Sequence, residues 1–188
     1  MNKNRVLQKQ NVVSAMAFVV CAFMGLATTS HSVFAAEKAN TKEEQTNIDY
    51  MFASIAQKVA LLLKENPKFL PFGAGMDATG KVQYIWLDKK QPYTPEGAML
   101  LVRNALIGNA EAGRLIGVST IYRYGREDAS GKIKEQVNIE LEYANGYAVV
   151  RAVEIVDKNG ELTVGKAGQQ PMQAKIFTPS VVEALQKK

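Results

Sequence analysis

The chain has 188 residues, 23 Lys and Arg against 18 Asp and Glu, a formal net charge of +5, one Cys and one His. The cationic excess is concentrated at the N-terminus. Lys3, Arg5 and Lys9 precede any acidic residue, and Cys21 and His31 also lie within the first thirty-five residues. Beyond that point the chain carries 20 basic residues (23 less these three) against 18 acidic ones, and neither cysteine nor histidine. This nearly balanced part offers no clustered basic face for nucleic acid, and it excludes disulfides, histidine-based triads, cysteine nucleophiles and thiolate or imidazole metal sites.

Residues 1–35 read as a secretory signal: a basic start, the apolar run Val12–Ala27, and Val33-Phe34-Ala35 with small residues at the positions read by a signal peptidase. Cleavage near Ala35 implies a periplasmic or secreted protein that meets the membrane only during export. Residues 36–46 are polar and charged and read as a flexible linker, although Thr41-Lys-Glu-Glu44 has the form of a capping box that can start a helix.

A single α+β domain is expected over 47–188. Ile48, Phe52, Ile55, Val59 and Leu62 recur at helical spacing before Asn66-Pro67. Lys68–Met76 and Lys81–Leu87 read as a β-hairpin around Asp77-Ala-Thr-Gly80, and the glycines and Pro71 suggest a bulged edge strand. The same stretch, Gly75-Met-Asp-Ala-Thr-Gly-Lys-Val82, is one residue short of a phosphate-binding loop. The β-rich VQYIWL that follows, in place of a helix, and Val82 in place of a hydroxyl residue exclude nucleotide binding there.

Thr94-Pro95-Glu96 starts a second helix with Ala98, Leu101, Val102, Ala105 and Leu106 as its buried face and Gly113 as its stop. Strands are expected over 114–124, 132–143 and 147–156, with Asn145-Gly146 as a two-residue hairpin. After a turn at 157–160 come a short strand, a loop over 165–171, an edge strand over 172–177 and a last helix behind Thr178-Pro179. The order α-β-β-α-β-β-β-β predicts one antiparallel sheet with the two main helices on one face. The phrase FLPFGAGMDATGKV, with this element order over about residues 47–156, resembles that of small exported bacterial proteins of unassigned activity. The resemblance bears on the fold only.

Three groups of residues are candidates for function. Pro71 and Phe72 lie in the glycine-rich phrase, which suits either a groove floor or an irregular strand. Glu140 and Glu142 share one side of a strand, where Arg151 on the next strand is placed to neutralise them; a water-facing sheet surface outweighs a catalytic pair. Trp86, Tyr122 and Tyr124 stand out from the wider aromatic set as a potential contact surface. With no cofactor motif, the expected function is non-catalytic binding of another envelope or secreted protein, of inhibitor or immunity type. The alternative is a small-ligand carrier or an enzyme working with carboxylates and tyrosine.

Overall fold

The structure is a computed structural model and describes residues 41–88 and 90–187. The signal segment expected over 1–35 and the first part of the expected linker lie outside the described residues. The chain folds in the order α1 (Lys42–Glu65), β1 (Phe72–Met76), β2 (Val82–Ile85), α2 (Pro95–Glu111), β3 (Gly117–Glu127), β4 (Ile133–Tyr143), β5 (Ala148–Lys158), β6 (Glu161–Pro171) and α3 (Pro179–Gln186). All six strands form one antiparallel sheet in the order β2-β1-β3-β4-β5-β6. The α+β class and the single sheet agree with the sequence reading.

Helix α1 begins earlier than the expected domain start because the capping box is formed. The Glu44 amide donates to Thr41 Oγ1 and the Thr41 amide to the Glu44 carboxylate, satisfying two of the amides a helix start leaves unpaired. Its buried stripe is Ile48, Met51, Ile55, Val59 and Leu63. It lies against Phe72, Ala74 and Met76 of β1, Ile121 of β3, Val137, Ile139 and Leu141 of β4, and Val149 and Val153 of β5.

The two main helices do not share a face. Cross-strand partners project to the same side, and the register pairs Val118 with Glu142 and Thr120 with Glu140. Val118 belongs to a second cluster with Val102, Leu106 and Ala110 of α2 and Ile176, Phe177 and Val181 at the C-terminus. Helix α1 therefore covers one face, and α2 and α3 cover part of the other.

This double cover explains the glycine-rich strand. Phe72, Ala74 and Met76 face α1, and Gly73 and Gly75 face α2, so β1 is buried along its whole length. A Cβ on Gly73 would stand 3.0 Å from Val102, and one on Gly75 only 2.7 Å from Leu115. The glycines mark close approach, and Pro71 does not begin an edge strand, because β1 lies between β2 and β3.

The true edges are β2 and β6. Strand β6 takes in residues 165–171, expected as a loop, while 172–177, expected as a strand, is not one. Long pairing with β5, interrupted by a register shift near Val153 and Ile155, overrides the low strand propensity of GKAGQQP.

Three hairpins share a turn in which glycine takes a positive φ after three residues: Gly80 at 81°, Gly131 at 80° and Gly146 at 90°. The Asn145-Gly146 hairpin is accordingly one residue longer than expected, with Tyr143 and Tyr147 bonded across its neck. The first two repeat the motif Asp-Ala-Thr/Ser-Gly-Lys. Asp128 accepts hydrogen bonds from the Ser130 hydroxyl and amide and from the Lys132 amide, and these hold its carboxyl at about 2 against an ordinary 3.8. The depressed value means the turn is fully supported above pH 3.8 and loses that support as pH falls through about 2. Carboxyl-detected NMR titration should place the Asp128 midpoint near 2. Ser130→Ala should move it upward.

Candidate binding site

At the end of β2 the chain leaves the sheet and sets Trp86 over the mouth of a cleft of about 480 Å³. The cleft lies between the C-terminal turns of α1 and the connection to β1. Lys58, Leu62 and Glu65 line it from the helix, Asn66 and Lys68 to Pro71 from the connection, and Trp86 and Leu87 from the far side. Asn66 ends the helix ahead of Pro67. Arg123 then fixes the connection, donating to the Pro67 carbonyl while paired with Glu135.

Trp86 is 45% exposed, and its position is set from beneath. Its ring stacks on Phe72 at 4.5 Å and 19°. Phe72 in turn meets Phe69 edge-on at 5.8 Å, and the Lys58 ammonium sits 5.6 Å from the indole centre. Tyr84, 6.0 Å from Trp86, donates its hydroxyl to the Ser54 carbonyl of α1. The result is a preset aromatic plate beside an apolar wall of Leu62, Phe69, Leu70 and Pro71, with two cations, Lys58 and Lys68, and one acid, Glu65, among the charged lining groups.

The expected site residues separate accordingly. Pro71 and Trp86 come together in the cleft. Phe72 is fully buried beneath it and makes no contact surface of its own. Tyr124 is 49% exposed but projects with Tyr122, Gln136 and Asn138 on the α2 side of the sheet, away from Trp86. Arg151 pairs across the ladder with Ile139 and so faces α1, where it binds Asp49 and lies 4.6 Å from the Phe52 ring centre. It does not neutralise Glu140 or Glu142.

Those two acids do not meet water either: Glu140 is 3% exposed and Glu142 is 1% exposed. Glu140 accepts both contacts of Arg103 Nη2 (2.9 and 3.2 Å), the Lys175 ammonium (2.6 Å) and the Tyr122 hydroxyl (3.0 Å). Glu142 accepts the backbone amides of Lys175, Ile176 and Phe177 at 3.0, 2.8 and 2.9 Å. Each carboxylate oxygen already accepts at least one hydrogen bond, and the Asn138 side-chain amide donates to the Tyr122 oxygen. Burial chiefly pushes the Tyr122 phenol above its usual range; Asn138 opposes this and the Glu140 charge adds to it. The pair works as a fastening that draws α2 and the C-terminal segment onto the sheet.

The sequence reading weighed the phrase Lys68–Gly75 as a groove floor without choosing Lys68, Phe69 or Leu70 as site residues, and it missed Lys58 and Leu62 of α1 altogether. The signal available was the run KFLPF, two aromatic residues around a proline directly after a helix stop. Comparison of the chain with protein-family models, with curated proteins and with solved structures returns no match.

Proposed function

We propose that the chain is an exported binding protein that acts without catalysis, of inhibitor or immunity type, and that its contact site is the Trp86 cleft. The observation that carries this reading is the half-exposed Trp86 stacked on Phe72 at the mouth of a cleft with an apolar wall. A preset aromatic anchor next to a pocket is the arrangement in which a few residues supply most of the binding energy. The expected partner is another envelope or secreted protein, in keeping with the signal-like N-terminus.

Affinity capture from envelope extract tests this. A stoichiometric partner retained by the wild-type chain should be lost with Trp86→Glu, a change of at least about 2 kcal/mol at an anchoring aromatic, and kept with Tyr124→Glu. Retention by both variants would remove the cleft from the account.

One observation favours the enzyme alternative: Tyr122 and Arg103 do converge on Glu140 from separate elements. The full burial of that carboxylate weighs against it, since a substrate would have to displace Lys175 to reach the group.

A further inference from the structure

The two edges of the sheet are treated in opposite ways. Edge β6 carries Lys166, Gly165 opposite a register shift, and Pro171, devices that discourage pairing with another chain. Edge β2, Val-Gln-Tyr-Ile, has none of these, and among the described residues nothing pairs with its outer side.

The hydrogen-bond phase of this edge follows from the turn that precedes it. The Asp77 amide donates to the Lys81 carbonyl, so bonded pairs recur at every second position, at Gly75 with Gln83 and Gly73 with Ile85. Val82 and Tyr84 then direct their backbone N–H and C=O groups outward.

The surroundings of this open edge are apolar. On the α1 side stand Trp86, which leads into the cleft, and Tyr50, which adds to the burial that chiefly pushes the Tyr84 phenol up. By helical phase Leu61 falls on the same side of α1 as Lys58, and Leu101 on the side of α2 opposite Arg103; both are exposed. Lys58 and Lys68 at the cleft have no ion-pair partner among the described residues, and Lys81 and Lys90 flank the strand.

Building on the Trp86 reading, we infer that the partner docks as an extended segment that pairs with β2 as an added strand. It sets an apolar side chain into the Trp86 cleft and an acidic group against Lys58 and Lys68. The cations favour an acidic segment of a different protein over a second copy of this chain, which would bring the same lysines to the interface.

Val82→Pro tests the backbone part separately from the cleft. It removes an outward N–H without breaking the ladder to β1, a substitution an edge strand tolerates. Circular dichroism should show it folded, whereas Gln83→Pro removes an inward bond and should destabilise the hairpin. The probe is a set of short random peptides displayed on phage and selected against the full chain. Selected peptides should alternate apolar residues and carry an acid, protect the Val82 and Tyr84 amides from hydrogen exchange, and weaken by about tenfold or more with Val82→Pro and with Trp86→Ala.

Peptides that need Trp86 but bind Val82→Pro unchanged would overturn strand addition and leave the cleft as the site. Failure to select any Trp86-dependent peptide would overturn both. A concentration-dependent dimer abolished by Val82→Pro, with no peptide able to compete, would overturn the choice of occupant.

Discussion

Replacing Glu142 with Ala should destabilise the protein by about 3–5 kcal/mol, because three backbone amides lose their acceptor at once and each buried unpaired donor costs about 1–3 kcal/mol. Glu142 is the point at which residues 175–177 are fastened to β4. With it gone, Ile176 and Phe177, both buried in the cluster beneath α2, lose the hydrogen bonds that hold their backbone amides. For a chain of this size the loss corresponds to a fall in melting temperature of about 10 °C or more. Amide exchange should localise the damage, with protection lost first at Ile176, Phe177 and α3. Glu142→Gln keeps the shape and one acceptor oxygen, and should fall between the two. A Glu142→Ala protein as stable as wild type would mean the segment is held by apolar burial alone.

Phe72→Ala should cost about 3–5 kcal/mol as a large aromatic lost from a packed core, and it should do more than destabilise. Phe72 is completely buried, and its outer face carries the Trp86 ring. Removing it takes away the support that keeps the indole in one orientation, so the variant should bind the partner more weakly even at temperatures where it is fully folded. Phe72→Leu, which fills most of the volume but offers no ring to stack on, separates the effects: stability mostly recovered, affinity still reduced. Chemical denaturation alongside a binding isotherm reads both quantities from the same samples. Equal recovery of stability and affinity in Phe72→Leu would show that stacking has no role in the site.

Local signals carried most of the fold. The capping box at Thr41, Thr94-Pro95 as a helix start and the Asp77-Ala-Thr-Gly80 turn are each decided by neighbouring residues, and each forms as the sequence implies. What could not be read locally was which layer covers which face. The alternation in β4 separates Val137, Ile139 and Leu141 from Asn138, Glu140 and Glu142, and acids on one side ordinarily mean water there. Here Arg103, 37 positions away, and the amides of residues 175–177 supply the charge and the donors that let two acids be buried. No spacing rule connects those positions.

The site was legible to the same extent. Trp86 and Pro71 were singled out from the sequence, but the partnership of Lys58, Phe69 and Trp86 depends on the last turns of α1 lying beside the connection to β1 and the end of β2. Gly73 and Gly75 invited a reading as an irregular edge. They are glycine because α2 and Leu115 lie against them, a fact of tertiary contact that a strand pattern does not contain.

The most direct test of the binding account uses the fact that Trp86 is the sole tryptophan in the chain, so indole emission reports on the cleft and nothing else. The measurement is the emission maximum and acrylamide quenching of Trp86 while the captured partner, or a tryptophan-free fragment of it, is titrated in. Occupation of the cleft predicts a shift to shorter wavelength and a saturable loss of quenching with the same midpoint as binding. Saturable binding with the emission and the quenching of Trp86 unchanged would place the contact elsewhere on the molecule and contradict the account.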